Sequence, residues 1–307
     1  MSNEIRVFCP ATIANVSCGF DVLGLALDAV GDEMVVKKTK KKGIKITKLE
    51  GQNLPMETLQ NVAGVAGLAL LAESDYQGGF EIEIYKKIKA GSGIGSSAAS
   101  STGAVWAMNK LLGNPFSNLD LVKFAMEGER LASGVAHADN VAPAIYGGFT
   151  LVRSYTPLDI IKINTPKELY ATVIHPQIEV KTSDSRKILK TTIDLKDGIK
   201  QWGNVGGLIA GLYTEDYELI GRSLEDHIIE PIRSILIPGF DKLKSESIKA
   251  GALGCSISGS GPSVFTLSRG EEKALKVADS MSGVYEKFGI DFDIHVSKIN
   301  LEGIRKI

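Results

Sequence analysis

Glycine and serine dominate one segment, "KAGSGIGSSAASSTGAV" at residues 89–105, which lies between a strand-like and a helix-like stretch. The glycines are Gly91, Gly93 and Gly95, and the hydroxyl side chains beside them are Ser92, Ser96 and Ser97. Glycines permit left-handed backbone, which turns several N–H groups toward one point, and a helix that starts there adds partial positive charge. The segment is therefore suited to binding phosphate, and its hydroxyls could hold a metal ion.

Other chemistries compete for the same segment. A P-loop requires a Gly-Lys pair, and the chain contains none; a dinucleotide fingerprint requires glycine where Ser96 stands. A nucleophile elbow, G-x-S-x-G, is nearly matched by Gly95, Ser97 and Ala99, so a serine hydrolase is the main alternative. A glycine-serine turn that only caps a helix also stays open.

Two further stretches bear on that choice. "CPATIANVSCGFDVLGLAL" (residues 9–27) places Asn15 and Asp21 on an irregular segment between apolar pieces. "GCSISGSGPSVFTL" (residues 254–267) is a second glycine-serine loop, in which Gly259 and Gly261 leave room for a close approach. Two such loops in one chain favour phosphate binding over a simple turn.

Strands and helices must hold these segments in place. The predicted strands of the first half cover residues 5–10, 33–38, 45–49 and 80–85, and we expect them to be antiparallel. The predicted helices cover residues 56–74, 96–112 and 117–134, the last with Ser117 as N-cap and Asp120 three residues later. The lysine-rich run at residues 37–45 is interpreted as a solvated hairpin.

A second set of strands and helices follows the polar punctuation at Thr165 and Pro166. Strands do not alternate regularly with single helices, so the pattern predicts an α+β protein of two domains, residues 1–165 and 166–307.

Composition narrows the class of protein. The chain has 307 residues, 35 Lys+Arg against 36 Asp+Glu, and no basic surplus that would favour nucleic acid. Three widely spaced cysteines suggest neither a disulfide framework nor a zinc site. No stretch is typical of a signal peptide or a membrane span, so we expect a cytoplasmic protein with no membrane or nucleic-acid partner.

Taken together, the motifs resemble those of the GHMP small-molecule kinases. "PATIANVSCGFDVLGLAL", "GSGIGSSAASS" and "CSISGSGPSVF" occur in that family's order and separation, and the likeness extends over nearly the entire chain. The resemblance implies a two-domain fold, with an N-terminal ATP-binding domain like ribosomal protein S5 domain 2 and a ferredoxin-like α+β C-terminal domain. "SGVAHADNVAPAIYGGFTLV" is similar to the branch that phosphorylates L-homoserine to O-phospho-L-homoserine in threonine biosynthesis.

The resemblance also implies ATP as co-substrate and Mg²⁺ as its metal ion, with Ser97 and Glu129 as the metal's ligands. The ATP-binding residues implied are Asn61, Lys89, Ala90, Gly91, Ser92, Gly93, Ile94, Gly95, Ser96, Ser97, Ala98, Ala99, Gly259 and Gly261. For Asn61, helix capping is nearly as good an explanation. The family's loop usually opens with proline, where this chain has Lys89 and Ala90, so Lys89 could reach a phosphate.

For the acceptor, the resemblance implies that Asn15 and Asp21 hold the polar head of L-homoserine and that Arg186 and Arg233 clasp its carboxylate. His137 would contact the substrate. Asn140, Asp139 and Arg186 are the predicted catalytic residues, with direct in-line transfer and no assigned general base. A homodimer is implied by the resemblance alone.

Overall fold

The structure, a computed structural model, describes residues 3–178 and 182–307. The strands are β1 (Glu4–Ala14), β2 (Leu23–Thr39), β3 (Gly43–Glu50), β4 (Gly79–Tyr85), β5 (Phe149–Tyr155), β6 (Leu158–Ile163), β7 (Leu169–Pro176), β8 (Gly254–Ile257), β9 (Val264–Arg269), β10 (Phe292–Lys298) and β11 (Arg305–Lys306). The helices are α1 (Val62–Ala72), α2 (Ser96–Leu112), α3 (Asn118–Ser133), α4 (Val141–Tyr146), α5 (Thr182–Lys187), α6 (Leu195–Thr214), α7 (Tyr217–Ser223), α8 (Glu230–Arg233), α9 (Phe240–Lys249) and α10 (Glu271–Phe288).

The first sheet has the strand order β11-β1-β2-β4-β3, and β5 continues it from β2 to β6. Strands β3 and β4 alternate as the sequence predicts: in β4 the side chains of Phe80, Ile82 and Ile84 are buried, and the two glutamates between them are partly exposed. Helices α1 and α2 pack against this sheet, and α3 packs on both of them. Their packing supports the segment from which α2 begins.

One expected pairing is wrong. β3 pairs with β4 in parallel, and β4 lies between β2 and β3 in the sheet. The lysine-rich run therefore connects two strands that are not neighbours and is not a hairpin, although Lys40, Lys41 and Lys42 are exposed as expected. The reason is the intervening helix α1, which provides the crossover that a parallel pair requires.

Two of the three helices predicted in this half have the expected boundaries, but the helix predicted over residues 56–74 is wrong at its start. Helix α1 begins only at Val62, because the backbone of Asn61 is extended and its side chain caps the helix there, after a separate 3₁₀ turn at Thr58–Gln60.

Helix α2 begins at Ser96 and ends at Leu112, and the left-handed conformation of Gly113 (φ 90°) closes its last turn. Helix α3 begins after Ser117, which forms a capping box with Asp120. Both starts are set by local chemistry, which explains why the sequence predicts them.

The second sheet is antiparallel and has the order β10-β7-β9-β8. Numbered along the chain these four strands read 4-1-3-2, which confirms the expected ferredoxin-like arrangement. Helices α9 and α10 pack on it, and helices α5 to α8 are inserted between β7 and β8. The insertion carries both predicted substrate arginines.

The two sheets are joined closely. The predicted boundary at residue 165 falls between β6 and β7, which belong to different sheets, yet the end of the chain returns to the first sheet. There β11 pairs with β1, and Leu27 bridges to Ile299. No helix within the described residues is long and apolar enough to cross a membrane.

Candidate active site

A cavity of about 360 Å³ lies where the two halves meet, and its size suits a small ligand. Most of the predicted site residues line it: Asn15, Asp21, Ala90, Gly91, Gly93, Gly95, Ser96, Ser97, Glu129, His137, Asp139, Asn140, Arg186, Arg233 and Gly259. Seven predicted residues lie outside its lining: Asn61, Lys89, Ser92, Ile94, Ala98, Ala99 and Gly261. One cavity therefore brings together the predicted phosphate, metal and acceptor groups.

The phosphate loop, residues 89–95, leads into helix α2 and offers backbone donors. Gly91, Gly93 and Gly95 have φ of 75°, 85° and 73°, in the left-handed region. Gly95 stands at the N-cap and provides no side chain to satisfy the first amides of α2. The amides that donate no hydrogen bond to any described residue are those of Gly91, Gly93, Ile94, Gly95, Ser96, Ser97 and Ala98. These amides, at a helix N-terminus, are a ready anion-binding group.

The second glycine-serine loop, residues 258–263, packs behind the phosphate loop. Ser258 Oγ donates to the carbonyl of Gly93 at 2.7 Å, and a Cβ added at Gly93 would lie 2.7 Å from the carbonyl oxygen of Gly261. The amide of Gly259 donates to Ala14, and that of Gly261 donates to Ser258. Since both amides are occupied, this geometry favours a supporting role for the two glycines over direct phosphate binding.

Ser97 lies in the first turn of α2, and Glu129 lies on α3 beside it. Ser97 Oγ donates to Glu129 Oε2 at 3.1 Å, while Oε1 is buried without a partner among the described residues. Burial raises the pKa of Glu129 to about 7, and the nearby Asp139 contributes to the rise. An oxygen-only donor set with an orphaned carboxylate oxygen fits a hard cation such as Mg²⁺, which also takes phosphate oxygens and water.

Asp139 and Asn140 immediately precede helix α4, and Asn140 lies beside Gly95 of the phosphate loop. Asp139 is buried, and burial together with the charge of Asp21 raises its pKa to about 7. Its Oδ1 accepts the backbone amide of Asn140 at 3.1 Å. Asn140 Oδ1 accepts a 2.7 Å hydrogen bond from the hydroxyl of Thr12, which fixes the orientation of its amide.

The predicted acceptor groups include one ion pair that spans both domains. Arg186 Nη2 lies 2.7 Å from Asp21 Oδ1, and Phe20 stacks beneath the guanidinium at 5.5 Å. His137 Nδ1 is 3.8 Å from the same carboxylate oxygen, but burial lowers the pKa of His137 and favours the neutral ring. The site thus holds an anionic and a cationic group side by side.

Arg233 is a buried cation, with only 3% of its surface exposed. Its guanidinium donates to the carbonyls of Ser185 (3.2 Å) and Gly259 (3.1 Å) and stacks on Phe20 at 5.1 Å. Burial lowers the pKa of Arg233 to about 10, so it keeps its charge at neutral pH. No carboxylate of the described chain pairs with it within 4.0 Å, and a buried cation without an anion is costly. A ligand carboxylate would compensate it.

Three predicted residues are held by other contacts. Asn15 donates to the carbonyl of Gly259 and accepts the amide of Asp21, so it orients that residue. Asn61 caps helix α1 with its side-chain oxygen, and its side-chain amide donates to the carbonyl of Pro55. These contacts agree with the helix-capping explanation. Lys89 Nζ donates to the side chain of Gln177 at 2.6 Å and does not line the cavity.

Sequence reasoning missed four residues of this region: Thr12, Phe20, Asp32 and Lys86. Lys86 lines the cavity, and its ammonium is buried against the carboxylate of Asp32. The sequence does carry a signal for Lys86: it stands at the next alternate position after Phe80, Ile82 and Ile84, which predicts that it faces the same buried side. Thr12 and Phe20 carry no comparable signal, since their contacts are made by distant parts of the chain.

Comparison with known proteins assigns the chain to a family. It matches the GHMP kinases N terminal domain over residues 53–148 and the GHMP kinases C terminal domain over residues 208–287. It is 45% identical to a homoserine kinase of Chlorobium phaeovibrioides and 46% identical to one of Chloroherpeton thalassium, each across 98% of this chain and 99% of the relative. A crystal structure of homoserine kinase from Cytophaga hutchinsonii superposes with a TM-score of 0.96 at 53% identity, covering 100% of this chain and 98% of that one. The chain belongs to the GHMP kinase family and, within it, groups with the homoserine kinases.

Proposed function

We propose that this protein is an ATP-dependent homoserine kinase that phosphorylates the side-chain hydroxyl of L-homoserine to O-phospho-L-homoserine, a step of threonine biosynthesis. The observation that carries the proposal is the shared cavity: unpaired amides of the phosphate loop and a complementary set of charges for an amino acid line the same space. The homoserine kinases to which the chain is similar support the choice of acceptor.

The amides at the start of α2 are proposed to bind the ATP phosphates. Ser97 and Glu129 would hold Mg²⁺, which would supply positive charge to the transferring phosphoryl group. Glu129 must be ionised to do so, so metal binding would displace the proton that its raised pKa favours.

The acceptor's two charges match the two sides of the Asp21–Arg186 pair. Its ammonium group would lie on Asp21, and its carboxylate would lie between Arg186 and the buried Arg233. Guanidinium groups bind carboxylates in a bidentate geometry that fixes the direction of the attached chain. The hydroxyl at the far end of the side chain would then be directed toward the phosphate loop.

The proposed chemical step is an in-line displacement at the γ-phosphorus. The acceptor oxygen forms the new O–P bond as the bond to ADP breaks, and the hydroxyl proton passes to a phosphate oxygen or to water. Asn140, oriented by Thr12, is proposed to position the hydroxyl. We assign no general base, because a loose phosphoryl transfer depends chiefly on positioning and charge neutralisation.

The serine-hydrolase alternative has less support. Ser97 Oγ donates to a carboxylate, and its described hydrogen bonds include no histidine that could act as its base.

A homodimer in a reducing cytoplasm completes the proposal. Helix α6 exposes apolar side chains along one stripe, with Leu195 at 66%, Ile199 at 57% and Trp202 at 60% exposure, as an interface would require. The three cysteines are buried free thiols, which suits a reducing compartment. Light scattering should give a molar mass of twice the chain mass for the wild type and of one chain mass for Trp202→Glu.

The direct test identifies the product. The protein is incubated with Mg²⁺, ATP and L-homoserine, and the mixture is analysed by phosphorus NMR. We expect one phosphate monoester of homoserine for each ADP formed. Release of inorganic phosphate without that ester, or no consumption of ATP, would contradict the proposal.

A further inference from the structure

A buried ion pair lies directly under the phosphate loop. Lys86 follows β4, Asp32 lies on β2, and each side chain is only 1% exposed. The antiparallel register, in which Glu33 faces Tyr85, places residue 32 opposite residue 86. Taking two charges out of water costs more than a buried pair usually returns, so stability alone gives a weak reason for this arrangement.

The contacts of the pair converge on the two ends of the phosphate loop. Asp32 Oδ1 accepts the amides of Lys87 at 2.7 Å and Ile88 at 2.9 Å, immediately before the loop. Lys86 Nζ donates to the carbonyl of Ser96 at 2.9 Å, immediately after it. Ser96 Oγ adds a direct bond to the carbonyl of Ile88 at 2.9 Å. The glycine-rich residues between these points are therefore fixed at both ends.

Lys86 is not available as a phosphate ligand in this arrangement. An ammonium group has three donors, and Asp32, the Ser96 carbonyl and Ser100 Oγ (3.1 Å) accept all of them. Its charge lies beside the N-terminal end of α2, where a cation is unfavourable unless an anion is near. Asp32 provides one such anion permanently, and a bound triphosphate would provide another.

We propose that the Lys86–Asp32 pair is a positioning element for nucleotide binding: it ties the start of the phosphate loop to the first turn of α2 and so holds the loop's amides in their phosphate-binding arrangement. The inference rests on the proposed function for its ligand, ATP, but not on the identity of the acceptor.

The test separates positioning from stability. The double variant Lys86→Met/Asp32→Asn removes both buried charges and keeps an oxygen at residue 32 for the two amides, so the free energy of unfolding should stay close to that of the wild type. Calorimetry then measures the dissociation constant of Mg²⁺ with the non-hydrolysable analogue AMP-PNP. We expect that constant to rise at least tenfold and the melting temperature to change by less than about 3 °C.

The matched control is the exposed pair formed by the next residues, Lys87 and Glu33, whose lysine is 61% exposed. Lys87→Met/Glu33→Gln should leave the AMP-PNP constant within twofold of the wild type. Unchanged AMP-PNP binding in a folded Lys86→Met/Asp32→Asn variant would overturn the inference. If the wild type itself binds no AMP-PNP, the proposed function fails instead.

A milder variant decides the question if the double variant does not fold. Ser100→Ala removes one acceptor of Lys86 and leaves the ion pair in place. We expect about a threefold weaker binding of AMP-PNP, with Asp32 and Lys86 still buried. Binding equal to that of the wild type would count against the positioning role.

Discussion

The phosphate loop and the proposed acceptor pocket line the same cavity but are built differently. The loop and the first turn of α2 offer the backbone amides of residue 91 and residues 93–98, and the loop's shape follows from glycines and a helix start. The acceptor pocket depends on side chains from distant segments, chiefly Asp21 on the first domain and Arg186 and Arg233 on the second. Backbone sites tolerate changes of side chain, whereas a pocket of charges should fail when a single charge is lost.

The proposed metal ligand Glu129 should show the largest effect. Glu129→Gln removes the carboxylate but keeps its size, and we expect kcat to fall about 10³-fold, within the range for loss of electrostatic stabilisation at a reacting group. Steady-state assays at saturating ATP and homoserine measure it. Glu127→Gln, on the exposed side of the same helix, is the control and should change kcat less than twofold.

Arg233 tests the claim that the acceptor pocket depends on single charges. Arg233→Met should raise the KM for homoserine about 100-fold, since truncating a buried charge partner costs roughly 2–5 kcal/mol. The KM for ATP should change less than threefold. Arg269→Met, at an exposed ion pair with Glu168, should alter neither constant. An equal rise in the KM for homoserine and the KM for ATP would contradict this, because Arg233 would then not act on the acceptor alone.

The pKa of Glu129, about 7, predicts how metal activation depends on pH. A cation binds the ionised carboxylate, so the Mg²⁺ concentration for half-maximal activity should rise about tenfold from pH 8 to pH 6. The stability of the metal-free protein should change in the opposite direction: it should fall as pH rises, whereas Mg²⁺ binding strengthens. A carboxyl whose pKa is raised on folding favours the folded state while protonated, and that contribution is lost as pH rises through 7.

The melting temperature of Glu129→Gln tests the predicted direction of this pH dependence without an activity assay. The variant cannot ionise, so its melting temperature should exceed that of the metal-free wild type at pH 8 by more than at pH 5. Asp139→Asn distinguishes the two carboxyls whose pKa is near 7, since it should leave the pH dependence of Mg²⁺ activation unchanged. A lost dependence in Asp139→Asn would reassign the titration to Asp139.

The smallest effect is expected where the second domain supports the phosphate loop. Ser258→Ala removes the 2.7 Å hydrogen bond to Gly93, worth about 1 kcal/mol, so the KM for ATP should rise about fivefold. The KM for homoserine should stay within twofold. Ser245→Ala, an exposed serine of α9, serves as control.

The same contrast explains what the sequence could predict. The starts of α2 and α3 and the left-handed glycines depend on neighbouring residues, so local reasoning finds them. The ferredoxin-like order, the proposed metal ligands and the acceptor residues are implied by the family resemblance alone, whereas the glycines and serines of the phosphate loop are indicated by the local pattern. The parallel pairing of β3 with β4 was missed because alternation fixes which face a residue occupies but not which strand lies beside it.

Long-range contacts set the remaining limits. The burial of Arg233, its stacking on Phe20 and the pairing of Arg186 with Asp21 join segments that are far apart in the chain. No local pattern encodes these contacts. Lys86 and Asp32 are an intermediate case: each inward position was readable from alternation, but their partnership needed the register of β2 against β4.

The central claim is that one cavity binds ATP phosphates and both charges of an amino-acid acceptor. A coupled ADP-release assay with Mg²⁺ and ATP tests it against L-homoserine, 4-hydroxybutyrate, mevalonate, galactose and shikimate. We expect the highest kcat/KM for L-homoserine, at least 100-fold above that for 4-hydroxybutyrate, which lacks the ammonium group. Turnover of another acceptor with none of homoserine, or equal use of 4-hydroxybutyrate, would contradict it.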